Sequence, residues 1–265
     1  MTAVDFAEFV GRLADASGEV IAPFFRTALH AADKSGGGMF DPVTEADRAA
    51  ESVMRRMIEA QFPDHGIVGE EFGARNSGAE YVWVLDPIDG TKSFIGGMPL
   101  WGTLIGLLHH QRPAYGMMHQ PFTRERFQGD GGAAFWERRE NGRPTTRRPL
   151  RTRACATLGE ATLMTTHPAL LKDGALGRFE RVERAVRLSR YGGDCYSVCM
   201  VACGHVDLVI ESGLQPYDIV ALIPIVQGAG GLITTWDGGD AARGGAIVAA
   251  GDPRAHEAAL RLLNA

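Results

Sequence analysis

Only four cysteines occur in the chain, at positions 155, 195, 199 and 203, and no two of them form a CxxC pair. A zinc site is therefore not expected. Cys195, Cys199 and Cys203 are spaced by four, which puts them on one face of a helix, where neighbours rarely reach disulfide geometry. Reduced, packed thiols in a cytoplasmic protein follow. No block of lysine and arginine stands out, and the formal net charge is -5. Nucleic acid is thus a poor candidate partner. No apolar run approaches membrane-spanning length. The first residues, MTAVDFAEFV, lack the basic start and apolar centre of a signal peptide. No internal repeat and no low-complexity segment is visible.

What is there is ordinary for a soluble globular chain. Hydrophobic residues make up 45% and charged residues 22% of 265 positions, enough for one large or two small domains. Phe6, Val10, Leu13, Ile21 and Phe25 recur at helical spacing and predict a helix over 4–29. Thr44, with Asp47 three residues on, predicts a second helix start of the capping-box kind, ended by Pro63 and Gly66. Strands are expected at 67–68, 81–85, 101–109, 114–119 and 133–136. The polar stretch 138–153, with Asn141-Gly142 and several arginines, marks a candidate boundary between halves 1–137 and 138–265. Beyond it strands at 161–165, 206–210, 232–236 and 246–249 alternate with helices over 170–186, 194–203 and 218–227 and one from 252 or 253. The first half reads as α+β and the second as α/β.

The most informative segment is Trp83-Val84-Leu85-Asp86-Pro87-Ile88-Asp89-Gly90-Thr91. An apolar strand delivers two aspartates, three residues apart, into a glycine turn. Pro87 removes an amide and fixes the turn, and Gly90 allows close backbone approach. Hard cations such as Mg²⁺ take carboxylate oxygens of this kind. A helix opening near Thr91 would add free amides for an anion. Alone, such a turn is equally compatible with plain loop chemistry.

Three segments in order make it specific: Gly69-Glu70-Glu71, Asp86-Pro87-Ile88-Asp89-Gly90-Thr91, and Tyr217-Asp218 ahead of an apolar helix and Gly228-Ala229-Gly230-Gly231. With Val43-Thr44-Glu45-Ala46-Asp47 they resemble the inositol-monophosphatase superfamily over nearly the whole chain. The resemblance implies a layered αβαβα sandwich, a homodimer, and a Mg²⁺-dependent phosphatase of small phosphorylated metabolites. It also implies roles. Glu70, Asp86 and the Ile88 carbonyl would hold one Mg²⁺; Asp86, Asp89 and Asp218 would hold a second; Glu70 would serve a third, weaker ion through water. Thr91 and Asp47 would position the attacking water, and the Gly90 and Thr91 amides would hold phosphate oxygens. The bland alternatives stand beside these: Asp47 as a capping-box residue, Asp218 as a helix N-cap, Glu71 as a surface or supporting residue. His65, His109, His110, His119, His167 and His205 fit no ligand spacing.

The second half resembles the histidinol-phosphate phosphatase branch. Arg190-Tyr191-Gly192-Gly193-Asp194-Cys195-Tyr196 replaces a serine- and threonine-containing turn, and Pro224 interrupts the helix after Asp218. Histidinol phosphate carries an ammonium and an imidazole, which Asp194 and Glu211 could face. Asp194 also sits where a helix N-cap belongs. An inositol or broad sugar-phosphate phosphatase is the competing expectation.

Overall fold

A computed structural model describes residues 6–27, 32–33, 42–43, 45–140 and 143–265. Thr44, the expected cap of the second helix, lies outside these residues. Helices α1 (Phe6–Ile21) and α2 (Glu45–Gln61) pack on each other and on one face of a large sheet. Phe9, Val10 and Leu13 of α1 and Met54 and Ile58 of α2 share one buried cluster with Trp83, Leu85 and Ile105 of that sheet. α1 is shorter than the 4–29 periodicity predicts and gives way to a 3₁₀ turn at Ala22–Phe24. Pro23 is the reason: it has no amide to donate, and its ring crowds the carbonyl four residues back.

The two-residue strands β1 (Ala32–Asp33) and β2 (Pro42–Val43) pair with each other. The large sheet holds β3 (Gly66–Gly69), β4 (Gly73–Arg75), β5 (Tyr81–Asp89), β6 (Gly102–His109), β7 (Arg112–Gln120), β8 (Glu125–Gly129), β9 (Ala134–Glu140) and β10 (Arg143–Pro149). Its order is β10-β9-β8-β7-β6-β5-β3-β4, with only the β3–β5 pair parallel. A short helix, α3 (Thr91–Ile95), links β5 to β6. The 138–153 stretch therefore continues the first sheet, and the passage to the second falls between Pro149 and Thr162. β10 is exposed along its whole length. Its arginines and prolines suit an edge strand that must not recruit another strand, and they hide the strand from a search for apolar alternation.

The second sheet holds β11 (Thr162–Thr165), β12 (Leu188–Tyr191), β13 (Leu208–Leu214), β14 (Leu232–Thr235) and β15 (Gly245–Ala250), in the order β12-β11-β13-β15-β14. Between the two sheets lie α5 (Asp194–Ala202), α6 (Pro216–Ile219) and α7 (Leu222–Gly228), whose side chains form the central buried cluster with both sheets. α4 (Ala175–Glu183) and α8 (Pro253–Leu263) cover the outer face of the second sheet. Helix pair, sheet, helices, sheet and helix pair make the five layers of an αβαβα sandwich. Among the described residues no helix is long and apolar enough to cross a membrane.

The helix expected over 218–227 is split in two. Pro224 is the third residue of α7, where an amide has no partner inside the helix, so the break at Val220–Ala221 removes the conflict that an unbroken helix would carry. The break rests on the large sheet where side chains are missing. A Cβ on Gly116 would stand 1.8 Å from the Ala221 carbonyl oxygen. The three thiols pack as expected, with Cys195 and Cys199 of α5 in the central cluster and Cys203, just past the helix, against it.

Candidate active site

Asp86 and Asp89 lie inside β5, not beyond its end. Residues three apart in a regular strand point to opposite faces. Here Asp86 pairs with Leu104 and Asp89 with Gly102, so β5 carries one extra residue opposite β6. This bulge re-aims the side chains onto one side. The hydroxyl of Thr103 donates to the Pro87 carbonyl at 2.8 Å and holds the bulge. As a result, carboxylate oxygens of Asp86, Asp89 and Asp218 lie within 4.8 Å of one another.

Each member is fixed from a different element. Asp218 is the third residue of α6, and its Oδ2 accepts from the Gln215 amide at 2.6 Å. Gln215, not Asp218, is the N-cap, and the two form a capping box. Asp89 Oδ2 accepts from the Cys195 amide in the first turn of α5 at 2.6 Å. Asp86 is 2% exposed. Burial first, then the charges of Glu70, Asp89, Asp218 and Asp47, push its carboxyl well above the usual range. Asp89 is raised in the same way by burial, then Asp194 and Asp218, against the opposing Cys195 amide. Asp218 is pushed up to about 7 by burial, with Glu70 and Asp194 adding to it.

This donor set fits a hard divalent cation. Asp86 Oδ1 is buried with no hydrogen-bond partner, and oxygens of three carboxylates converge on one point beside it. Oxygen-only ligands of this kind suit Mg²⁺. The crowding also sets a pH dependence. A carboxyl raised in the folded state takes up protons that the unfolded chain releases, so its contribution to stability is present at low pH and lost as pH rises through the folded value. Without metal, the melting temperature should fall between about pH 4 and 7, the interval from the ordinary value to that of Asp218. Saturating Mg²⁺ should flatten that fall. A metal-free melting temperature that rises over this interval would contradict it.

Thr91 opens α3 as expected, after Gly90 at φ 85. Its hydroxyl donates to the Ile88 carbonyl at 3.1 Å. That leaves the hydroxyl oxygen ready to accept a hydrogen bond from a water. Glu70 follows β3, its amide donating to Leu85 O at 3.2 Å. Asp47 is buried in the first turn of α2, near enough to act on Asp86.

Asp194 is not the N-cap of α5. Gly193 holds that position, and Asp194 is the first helical residue at φ 41. Its Oδ2 accepts from the Ser93 hydroxyl at 3.0 Å. The carboxylate lies over Gly90, where a Cβ would come within 3.0 Å of it, so the glycine is required by space as well as by φ. Glu211 is buried and accepts from the Thr166 amide at 2.6 Å, the Thr166 hydroxyl at 3.0 Å and the Thr165 hydroxyl at 3.2 Å. Glu211 is pushed up to about 7, by burial first and with Asp194 adding to it. These residues line one open cleft of about 890 Å³ that runs from Asp89 and Asp218 past Asp194 and Glu211.

Sequence reasoning missed three supports. Glu51 is fully buried and accepts from the Glu71 amide at 2.7 Å, the Phe72 amide at 3.3 Å and Arg55 Nε at 2.7 Å, holding the turn that carries Glu70. In sequence it reads as one half of an i,i+4 surface pair. The Cys195 amide and the Ser93 hydroxyl were missed because nothing local ties α5 to α3.

The profile of the inositol monophosphatase family matches residues 4–265. The chain is 45% identical to the bifunctional phosphatase IMPL2, chloroplastic, of Arabidopsis thaliana, over 97% of this chain and 75% of that one. It is 35% identical to the histidinol-phosphatase of Mycobacterium tuberculosis, over 84% and 85%. Among solved structures, an inositol monophosphatase from Zymomonas mobilis superposes with a TM-score of 0.86 at 38% identity, covering 100% of both chains.

Proposed function

The chain belongs to the inositol monophosphatase family and is a metal-dependent phosphatase acting on a small phosphorylated metabolite, and from that premise we propose that it hydrolyses histidinol phosphate to histidinol and phosphate. The observation that carries the choice is the second acidic pair. Asp194 and Glu211 both border the cleft beyond Asp89 and Asp218, close enough for the Asp194 charge to help raise the Glu211 carboxyl. Two carboxylates so close repel each other, and a ligand bearing an ammonium and an imidazole relieves that repulsion. A polyol brings only hydroxyls and relieves none of it. Relatives named as histidinol-phosphatases support the same choice. The likeness to an inositol monophosphatase structure over the whole chain favours a second reading, hydrolysis of inositol or sugar phosphates.

In this reading Glu70, Asp86 and the Ile88 carbonyl would hold one Mg²⁺, and Asp86, Asp89 and Asp218 would hold another. Glu70 also serves a third, weaker ion. Bound Mg²⁺ supplies charge neutralisation of the phosphate dianion and acidification of water. The chain's own residues do the rest. Thr91 accepts a hydrogen bond from the attacking water and so orients it, with its own proton committed to Ile88. Asp47 is the neighbouring acceptor. Gly90 and Thr91 turn their amides toward the phosphate, and Asp194 and Glu211 orient the leaving alcohol. A homodimer is part of the same reading.

Phosphate release from histidinol phosphate, inositol 1-phosphate and fructose 1,6-bisphosphate should rank histidinol phosphate first in kcat/KM. A higher value for inositol phosphate would hand the case to the second reading. Activity should require Mg²⁺ in the millimolar range and vanish with chelator, because carboxylates alone repel a phosphate dianion. Full turnover in chelator would sink the assignment of the acidic cluster to metal.

A further inference from the structure

The end of β5 away from the aspartates carries a second group of ligand-type side chains. Glu80 stands just before β5, and His109 closes β6 opposite Tyr81. His110 follows in the turn to β7. One nitrogen from each imidazole and one Glu80 oxygen all lie within 4.8 Å of one another. Glu80 Oε1 is 3.2 Å from His109 Nε2 and 3.8 Å from His110 Nε2. The nine residues of β5 put this group roughly 25 Å along the strand from Asp89.

The three side chains are placed by the backbone. The His110 amide donates to the Glu80 carbonyl at 2.8 Å, and Gln111 Nε2 donates to the Ser77 carbonyl at 3.0 Å. The His109 ring stacks on Tyr81 with centroids 4.5 Å apart. The β6–β7 turn is just His110-Gln111, at φ 48 and φ 63. Two consecutive left-handed residues make the hairpin turn that Asn-Gly fills without strain. Histidine and glutamine fill it here at a conformational cost, which a bound ion would offset.

We propose that His109, His110 and Glu80 bind a transition-metal dication of the Zn²⁺ class. Two imidazoles and one carboxylate are a common three-ligand set for zinc, with a remaining position left to water. Imidazole nitrogen selects Zn²⁺ over Mg²⁺, which prefers oxygen. The ion pins the β6–β7 turn to the start of β5, far from the phosphate chemistry. Sequence spacing alone hides the site, because Glu80 and His109 are 29 residues apart.

The test is calorimetric titration of ZnCl₂ into the full chain at saturating MgCl₂, which keeps the acidic cluster occupied. One Zn²⁺ per chain is expected. His110→Asn and Glu80→Gln should each weaken it at least about tenfold. Asparagine tolerates the left-handed backbone, so the turn survives. Both variants should keep their phosphatase activity, which reports an intact fold. The proposal is overturned if the unaltered protein takes up no Zn²⁺ under these conditions. It is equally overturned if either variant binds Zn²⁺ as tightly as the parent.

Discussion

Asp89→Asn is expected to lower kcat by about a hundredfold or more, a loss of roughly 2.7 kcal/mol of transition-state stabilisation. The Asp89 carboxylate does two things. One oxygen accepts the Cys195 amide at 2.6 Å, and the group completes the cluster with Asp86 and Asp218. Asparagine has one acceptor oxygen, and the α5 amide claims it. The NH₂ group then turns toward Asp86 and Asp218 as a donor where a cation is wanted. Metal-free protein should tolerate this well. Burial and the neighbouring Asp194 and Asp218 charges already push Asp89 away from its ionised form, so a neutral group relieves that repulsion. The expected signature is therefore split. The metal-free melting temperature holds or rises, the Mg²⁺-induced rise shrinks, and kcat collapses. Near-normal kcat at saturating Mg²⁺ would remove Asp89 from the ligand set.

That bulged aspartate pair illustrates what a sequence carries and what it leaves to the fold. Asp86, Pro87, Asp89 and Gly90 are legible because their chemistry is local: a missing amide, a permissive φ, two carboxylates. The bulge is not, because it exists only against β6, where Asp89 pairs with Gly102 two residues before the partner of Asp86. Pro224 announced trouble in its helix, but where the chain breaks depends on the sheet beneath, at Gly106 and Gly116. β8 escaped notice because its Arg126 is buried, against the usual pattern, through a 2.6 Å pair with Asp15 of α1. Long-range partners decide each of these cases, and local propensity holds no record of them. The five layers were legible through family resemblance alone; strand–helix alternation carried only the α/β class of the second half.

Asp194→Asn should lower kcat/KM for histidinol phosphate about ten- to a hundredfold, since a hydrogen bond to a charged group contributes roughly 1.5–3 kcal/mol. The substitution is a clean probe for reasons visible at the site. Asp194 is not the cap of α5, so no capping interaction of its own is at stake. Its backbone at φ 41 is a conformation that asparagine accepts more readily than most residues. The side-chain oxygen of asparagine can still accept the Ser93 hydroxyl, keeping α5 tied to α3. Only the charge is lost. Burial holds Asp194 above its ordinary value, and its charge in turn helps raise Asp89, Asp218 and Glu211. Neutralising it should thus let Glu211 ionise at lower pH, which shifts the acid limb of the pH–kcat/KM profile downward. Glycerol phosphate offers no cation, so its hydrolysis should change much less than that of histidinol phosphate. A ratio between the two substrates that stays constant in the variant would mean Asp194 only braces Gly90 and Ser93, and the preference for a cationic substrate would have to reside elsewhere in the cleft.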